Sequence, residues 1–348
     1  MMKEWHKMIH TNLNKALTGK SGLFCIRHIV LCFLLTACIP LLTEAQNVGL
    51  VGVEDVQQTW LDDGTHVVFS HVNNELTFFD RQGQKTAAFR PDEPVSSIWS
   101  VYSDGKRIHV LAAAEAGRSV ISLENGLFSV ITLPEERIKG LVYAASGGAY
   151  YRTEEDRIGY FDFQSGRETT YGDIRIGGLY ALASEYGNDV LYVSDQQTKE
   201  YVFICIQNDR VLWQFRLSDS DSGSMRLPGA MKLTAPGTLL AAVSDLKDGS
   251  GNELYYLSDG RLLWHAPVFN TGSFCTVDKI ILSQDNKIHL IGTNGGLVRH
   301  AAYTINGEFA YESVIEETCP FNLFTYENGK IYGLDQTGGQ RIVLFDSL

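Results

Sequence analysis

The chain has 348 residues, of which 44% are hydrophobic and 20% charged, and a formal net charge of -12. That composition excludes a largely disordered chain, and the acidic balance excludes a nucleic-acid binder that works by neutralising phosphates. With 33 Gly against 8 Pro, and with 16 Tyr and 17 Phe, the sequence favours strands and turns over a helical bundle.

Residues 1–45 differ from everything after them. Lys3, Lys7, Lys15, Lys20 and Arg27 give a basic stretch in which Glu4 is the only acid, and an apolar run over residues 29–42, broken by Pro40, follows it. The run is too short to cross a bilayer comfortably and suits the apolar region of a secretory signal. Two cleavage patterns overlap there. Leu35-Thr36-Ala37-Cys38 resembles a bacterial lipobox, which implies acylation of Cys38 as the new N-terminus. Thr43-Glu44-Ala45 before Gln46 suits ordinary signal peptidase, which takes small residues one and three positions before the cut. Both readings make residues 1–45 a signal or lipoprotein leader and 46–348 the folded domain, exported to the periplasm or held in the cell envelope by lipid. Cys205, Cys275 and Cys319 remain after the leader. An odd count without CxxC or CxxH spacing points to neither a disulfide framework nor a zinc site.

From residue 46 onward apolar residues alternate at period two in short runs separated by Gly, Asn, Asp and Ser. One order recurs: strand, turn, strand, polar loop, strand, tight turn, strand. The first turns are marked by Asp62-Asp63-Gly64, Ser103-Asp104-Gly105, Ser146-Gly147-Gly148, Tyr186-Gly187-Asn188, Ala235-Pro236-Gly237, Gln284-Asp285-Asn286 and Glu327-Asn328-Gly329. Second turns such as Glu124-Asn125-Gly126 and Ser258-Asp259-Gly260 supply the positive φ of a tight hairpin. Seven units of about 43 residues fall within the period of propeller blades, so the fold expected is all-β, a seven-bladed β-propeller of four-stranded blades. The last unit supplies strands near residues 321–325, 330–334 and 341–345 and is one short. Residues 47–53 form an apolar strand with no hairpin partner. Pairing it beside residues 341–345 removes two exposed edges, so ring closure by this N-terminal strand is expected.

Two stretches carry resemblances. Val211-Leu212-Trp213-Gln214-Phe215 and Leu262-Leu263-Trp264-His265 resemble the repeats of quinoprotein-like propellers, which implies a Trp on the outer strand packed between blades. Residues 285–299, with Gly292-Thr293-Asn294-Gly295-Gly296-Leu297, look like one blade of the sensor propellers of bacterial two-component regulators, which implies an extracytoplasmic binding module.

Enzymatic propellers place acids, histidines or a metal on the innermost strands. Those strands, read at residues 57–60, 96–100, 139–144, 176–183, 231–235, 275–281 and 320–325, carry Asp278 as their one carboxylate, with Lys139, Lys232 and Lys279. A lone carboxylate supplies neither a calcium shell nor an acid–base pair, so no catalytic residue, metal or cofactor is expected. His109 and His289 occupy matching places on second strands, with Tyr332 in the last unit, a pattern of packing between blades. Residues 245–253 are acidic and Gly-rich but lack EF-hand spacing. Acidic residues collect in loops that should share one face; Glu154, Glu155, Asp156, Asp219 and Asp221 are the partner-binding candidates. The function expected is a monomeric extracytoplasmic interaction propeller for an envelope protein or carbohydrate, in contact with membrane only through a lipid anchor. The alternative is a propeller hydrolase or lyase on an extracellular carbohydrate, with its site on the loops.

Overall fold

Alternation at period two becomes burial wherever a strand is sandwiched between neighbours. In the computed structural model the stretch Tyr201–Gln207 is buried at every position but the last, whereas Arg210–Leu217 beside it alternates exposed and half-buried up to the buried Leu217. The first is an interior strand, the second an outer one. The structure describes residues 46–48, 51–53 and 56–346, less 62–63, 104–105, 116, 146, 218–225, 246–250, 270–274, 295–296, 316–323, 328 and 335–340.

Two short strands, β1 (Gln46–Val48) and β2 (Val51–Val53), precede seven antiparallel sheets. Blade 1 is β3 (Val56–Trp60), β4 (His66–Ser70), β5 (Glu75–Phe79) and β6 (Lys85–Phe89). Blade 2 is β7 (Val95–Ser103), β8 (Arg107–Ala114), β9 (Gly117–Glu124) and β10 (Leu127–Thr132). Blade 3 is β11 (Ile138–Ala144), β12 (Gly148–Thr153), β13 (Ile158–Asp162) and β14 (Glu168–Tyr171). Blade 4 is β15 (Ile176–Glu185), β16 (Asn188–Asp195), β17 (Tyr201–Gln207) and β18 (Arg210–Leu217). Blade 5 is β19 (Arg226–Ala235), β20 (Thr238–Asp245), β21 (Gly251–Ser258) and β22 (Arg261–Val268). Blade 6 is β23 (Thr276–Leu282), β24 (Lys287–Asn294), β25 (Leu297–Thr304) and β26 (Phe309–Ile315). Blade 7 is β27 (Phe324–Glu327), β28 (Lys330–Leu334) and β29 (Arg341–Asp346). Each blade's strands pair in chain order, and from blade 2 to blade 7 the first strand of each lies against that of the next around the axis. The one helical piece among the described residues is the 3-10 turn Glu135–Arg137.

The tight turns are set by local chemistry. Asn125 and Gly126 (φ 51° and 77°), Asn208 and Asp209 (47° and 59°) and Asp259 and Gly260 (48° and 74°) supply paired positive φ angles at third-to-fourth-strand hairpins. Such pairs match the right-handed twist of the flanking strands. The expected outer-strand tryptophans bridge blades. Trp264 donates from Nε1 to the Ile305 carbonyl of blade 6 at 3.0 Å. Its ring lies where a Cβ on Gly307 would meet it at 2.7 Å. Trp213 of blade 4 likewise lies over Gly260 of blade 5.

Apolar clusters fill the seams. Phe69 and Phe78 meet Ile98 and Val101 between blades 1 and 2, and Leu111 and Val120 meet Tyr151 and Phe161 between blades 2 and 3. Tyr150 and Ile158 meet Leu191 and Val202 at the next seam. Tyr192 and Phe203 then meet Leu239 and Leu257, and Leu240 and Leu254 meet Ile288 and Leu290. Ile291 and Val298 meet Phe324 and Ile331 between blades 6 and 7. No comparable cluster lies between blades 7 and 1 among the described residues; there the Arg81–Glu327 ion pair spans 3.7 Å.

The N-terminal strand does not close blade 7, contrary to the expectation for residues 47–53. β1 adds to the inner edge of β7, with Gln46 opposite Ser103 and Val48 opposite Val101. β2 adds to the inner edge of β3, with Val53 opposite Val56. Only residues 54–55 separate those two strands, so folding back onto β3 closes a very short loop, and short loops cost little closure entropy. β1 also lies against β15 of blade 4, which places it inside the central channel.

Candidate functional site

The connections from second to third strand, and those between blades, share one face of the ring, called upper here. Over blades 3 and 4 this face carries three neighbouring loops: residues 154–157, 173–175 and 196–200. The first contains three of the acidic candidates, and the fold gives them different roles.

Asp156 has φ 64°, a left-handed conformation that a short polar side chain tolerates. Its Oδ1 accepts from Arg152 Nη2 at 2.7 Å and Nε at 3.0 Å and from Lys139 Nζ at 3.3 Å, and its Oδ2 accepts from Gln196 Nε2 at 3.3 Å. Its carbonyl accepts from the Ile176 amide at 2.7 Å. Arg152 Nη1 also donates to the Gly177 carbonyl at 2.7 Å. The Arg152 guanidinium, with Lys139, holds the Asp156 carboxyl below the usual range. Asp156 is thus a staple between blades 3 and 4. Glu154 and Glu155 are exposed on the same turn. Glu154 lies 3.5 Å from Lys139 Nζ, which also donates to the Glu154 carbonyl at 2.6 Å. Asp219 and Asp221 lie outside the described residues, as does Cys38.

Beside this loop a cleft of about 660 Å³ is lined by Asp173, Ile174 and Arg175, by the turn Asp195 to Thr198, and by Arg216. Asp195 Oδ1 accepts from the amides of Gln197 at 2.8 Å and Thr198 at 3.1 Å, fixing the turn. Its Oδ2 accepts from Arg216 Nη1 at 2.9 Å, and that nitrogen also reaches Glu200 Oε2 at 3.2 Å. Burial pushes the Asp195 carboxyl up, but Arg216 and the turn amides outweigh it and hold it below the usual range. Arg175 is exposed at the cleft, and its carbonyl accepts from the Gln196 amide at 2.7 Å. The result is a rigid polar wall with both charge signs, able to take hydrogen bonds from a peptide or hydroxyl-rich ligand. Counting carboxylates alone passes over this wall. Its signal is the polar run Asp195-Gln196-Gln197-Thr198 with an arginine later on the outer strand.

In the channel, Asp278 accepts from Thr276 Oγ1 at 2.9 Å and from Thr293 Oγ1 at 2.7 Å, and burial raises its carboxyl to about 6. Lys232, buried on β19, is driven well below its ordinary value by burial and then by the Lys279 charge. β15 runs two residues further than expected and adds the buried Glu185 at its lower end. Among the described residues no three His, Cys, Asp or Glu side chains gather as a metal site.

His109 and His289 sit at seams. His109 shares a 2.6 Å hydrogen bond with Ser122 Oγ, and its ring centroid is 5.2 Å from Phe163 of blade 3. His289 is 5.8 Å from Tyr326 of blade 7. Packing between blades is therefore what the matching positions encode. His300, on the third strand, lies outside that pattern: its Nε2 is 3.0 Å from His289 Nδ1, both rings are buried, and the tilted Phe345 ring is centred 4.9 Å away. Asp189 is a second addition. It is half-buried beneath Tyr150, whose hydroxyl donates to Oδ2 at 2.8 Å, and Ser184 donates to Oδ1. Burial raises its carboxyl. In the sequence it reads as an ordinary turn residue after Gly187-Asn188.

No family profile matches the chain, and no curated protein does. Solved structures do match. A chain of a mitotic checkpoint complex aligns at 10% identity over 87% of this chain and 91% of its own, with a TM-score of 0.55. BBS1N in complex with ARL6DN aligns at 16% identity over 86% and 96%, with a TM-score of 0.49. BamB from Moraxella catarrhalis aligns at 14% identity over 88% and 100%, with a TM-score of 0.47. The likeness is one of fold: the chain is a seven-bladed β-propeller.

Proposed function

We propose that this chain is an exported interaction propeller of a bacterial cell envelope, and that it holds a protein or carbohydrate partner on the upper face over blades 3 and 4. One observation carries the reading: Glu154 and Glu155 project from a turn that Asp156 staples down, directly beside a polar cleft of about 660 Å³. A fixed loop loses little freedom on binding, so its exposed charges are preorganised for a cationic partner. The basic leader, its apolar run and the lipobox-like Leu35-Thr36-Ala37-Cys38 support export, with Cys38 as the acylated residue. The mass of the mature N-terminus separates acylated Cys38 from a free Gln46. The protein acts as a monomer, without a cofactor.

The test of the binding face is a pull-down across ionic strength with Glu154→Lys and Glu155→Lys combined. Asp156 is kept, because replacing it would cut the staple between blades. Loss of binding and of its salt dependence is expected; unchanged binding at all ionic strengths would remove this face from consideration. An enzyme reading with its site in the channel, not on the loops as the sequence suggests, draws on one specific feature, the Asp278 carboxyl held by Thr276 and Thr293 and raised by burial to about 6. Loss of a hydrolase or lyase activity in Asp278→Asn, with binding intact, would favour it.

A further inference from the structure

We propose that the lower face of the ring rests on a lipid bilayer through an apolar rim on blades 4, 5 and 6. The proposal rests on the reading of Cys38 as an acylated anchor and adds the orientation in which that anchor holds the domain.

The lower face lies opposite the polar cleft and carries the turns from first to second strand and the hairpins from third to fourth. Outer strands start there, and three in a row start with exposed apolar side chains. Leu212 in β18 is 51% exposed, Leu263 in β22 54% and Phe309 in β26 59%, with Leu262 exposed beside them. A scattered surface leucine is ordinary. These positions are set by the backbone. In β18 the pairing passes from Cys205–Trp213 to Ile206–Val211, which leaves Leu212 as the extra residue of a β-bulge. In β22 it passes from Tyr256–Trp264 to Leu257–Leu262, which leaves Leu263. A bulge re-aims its side chain away from the regular ladder. The same shift in β26 sets Ala310 next to Phe309. The three pieces are also joined. Trp213 lies over Gly260 in the hairpin that leads to Leu262, and Trp264 lies over Gly307 in the hairpin that leads to Phe309. Indole rings favour the boundary between water and lipid.

The other end of these strands differs. Near their upper ends they expose Arg216, Pro267 and Val314, of which only Val314 is a large apolar residue. Leu127 of blade 2 is exposed at the lower end too, beyond blade 3, whose outer strand opens on Glu168. Arg210 and Arg261 are exposed beside the leucines, with Asp209, Asp259 and Glu308 on the same hairpins. Those charges nearly balance, so apolar insertion, not net charge, supplies the binding.

The tether names the occupant. β1 starts at Gln46, opposite Ser103 at the lower end of β7, and Cys38 lies eight residues earlier. Eight residues reach at most about 28 Å. A strand of eight residues, such as β24, is itself about 26 Å long. A tether that leaves from the lower mouth therefore brings the lower face to the bilayer, and is spent before the upper face could turn to it. The cleft over blades 3 and 4 is left facing away from the lipid, open to a partner.

The test is hydrogen exchange on the exported protein as cells process it, on vesicles of phosphatidylethanolamine and phosphatidylglycerol, with the mass of its N-terminus read first. Amides of residues 208–213, 259–264 and 306–310 should slow at least about threefold on vesicles, while those of 154–157 and 196–200 should not change. Leu212→Ser, Leu263→Ser and Phe309→Ser combined should remove the slowing; all three sites are exposed, so the fold should be kept. Leu212→Met with Leu263→Met keeps apolar side chains and should retain it. An acylated protein whose lower hairpins exchange on vesicles as they do in solution overturns the proposal and leaves the anchor standing. Slowing of the upper loops instead overturns it too. So does slowing of the lower hairpins with protein concentration alone, which would mean a second copy. A chain that begins at Gln46 and still gains the lower-face protection removes the anchor and keeps the rim.

Discussion

The seam between blades 4 and 5 and the seam between blades 7 and 1 join the same kind of sheet by different means. At the first, Tyr192, Phe203 and Cys205 interlock with Leu233, Leu239, Ala241 and Leu257, all but closed to solvent, and Trp213 clasps the next blade at Gly260. At the second, an ion pair of 3.7 Å links Arg81, half exposed, to Glu327. Buried apolar area contributes in proportion to its extent, whereas an exposed ion pair contributes about 0–1 kcal/mol. A ring can therefore be strong around most of its circumference and have one weak junction. Here the weaker junction flanks blade 7, whose described residues form three strands.

Three experiments break or sharpen that contrast. The largest effect should come from Phe203→Ala. Its ring is fully buried and 4.8 Å from that of Tyr192, and emptying such a site costs about 3–5 kcal/mol, read as a lowered denaturant midpoint at unchanged slope. A loss below about 1 kcal/mol would mean that this seam does not hold the ring.

The second concerns the seam between blades 6 and 7. Burial lowers His289, and burial followed by its neighbour's charge lowers His300 to about 4. Asp285 and Lys287 act on His289 with opposite signs, and Tyr311 and Tyr326 complete the surround of the pair. Both imidazoles are neutral in the folded ring and titrate near 6.5 once unfolded, so the unfolded chain binds more protons as pH falls. Stability is full above about 6.5 and declines towards about 4, by up to about 3 kcal/mol for His300. His66, lowered by burial to about 4, adds a like decline in blade 1, and Asp278, raised to about 6, opposes it. His300→Gln should shallow the acid limb of stability against pH; an unchanged limb would show that the pair does not titrate with unfolding.

The smallest effect should come from Arg81→Ala. With side chains 49% and 28% exposed, the pair with Glu327 should be worth less than about 1 kcal/mol and should fade with salt. A loss of several kcal/mol would place the missing strength of the last seam in that pair after all.

Much of this ring was legible because its rules are local. Asn125-Gly126 and Asp259-Gly260 announce hairpins through backbone φ alone, and the third strand around Phe203 announces burial through an unbroken apolar run. The three strands of blade 7 could be read for the same reason. What escaped depends on partners distant in sequence. Residues 47–53 could serve several inner or outer edges, and pattern alone does not choose among them; the short loop to Val56 decides. His300 gains meaning only from His289, eleven residues away across a hairpin. Asp156 looked like one more surface acid until Arg152, Lys139 and Gln196 converged on it. Sequence patterns report which face of a strand is buried, but not which charge meets which.

The position of β1 also governs how the ring would carry load. Gln46 sits opposite Ser103, at the end of β7 nearest the lower mouth, and β1 runs alongside β7 towards the upper rim. A pull applied at Gln46 along the axis would act parallel to this ladder. Its hydrogen bonds would be sheared together instead of being unzipped one by one. Force would enter at the hub, among the first strands of the blades, and spread outward through their buried seams. The same pull applied to an outer strand would peel a single blade from the rim.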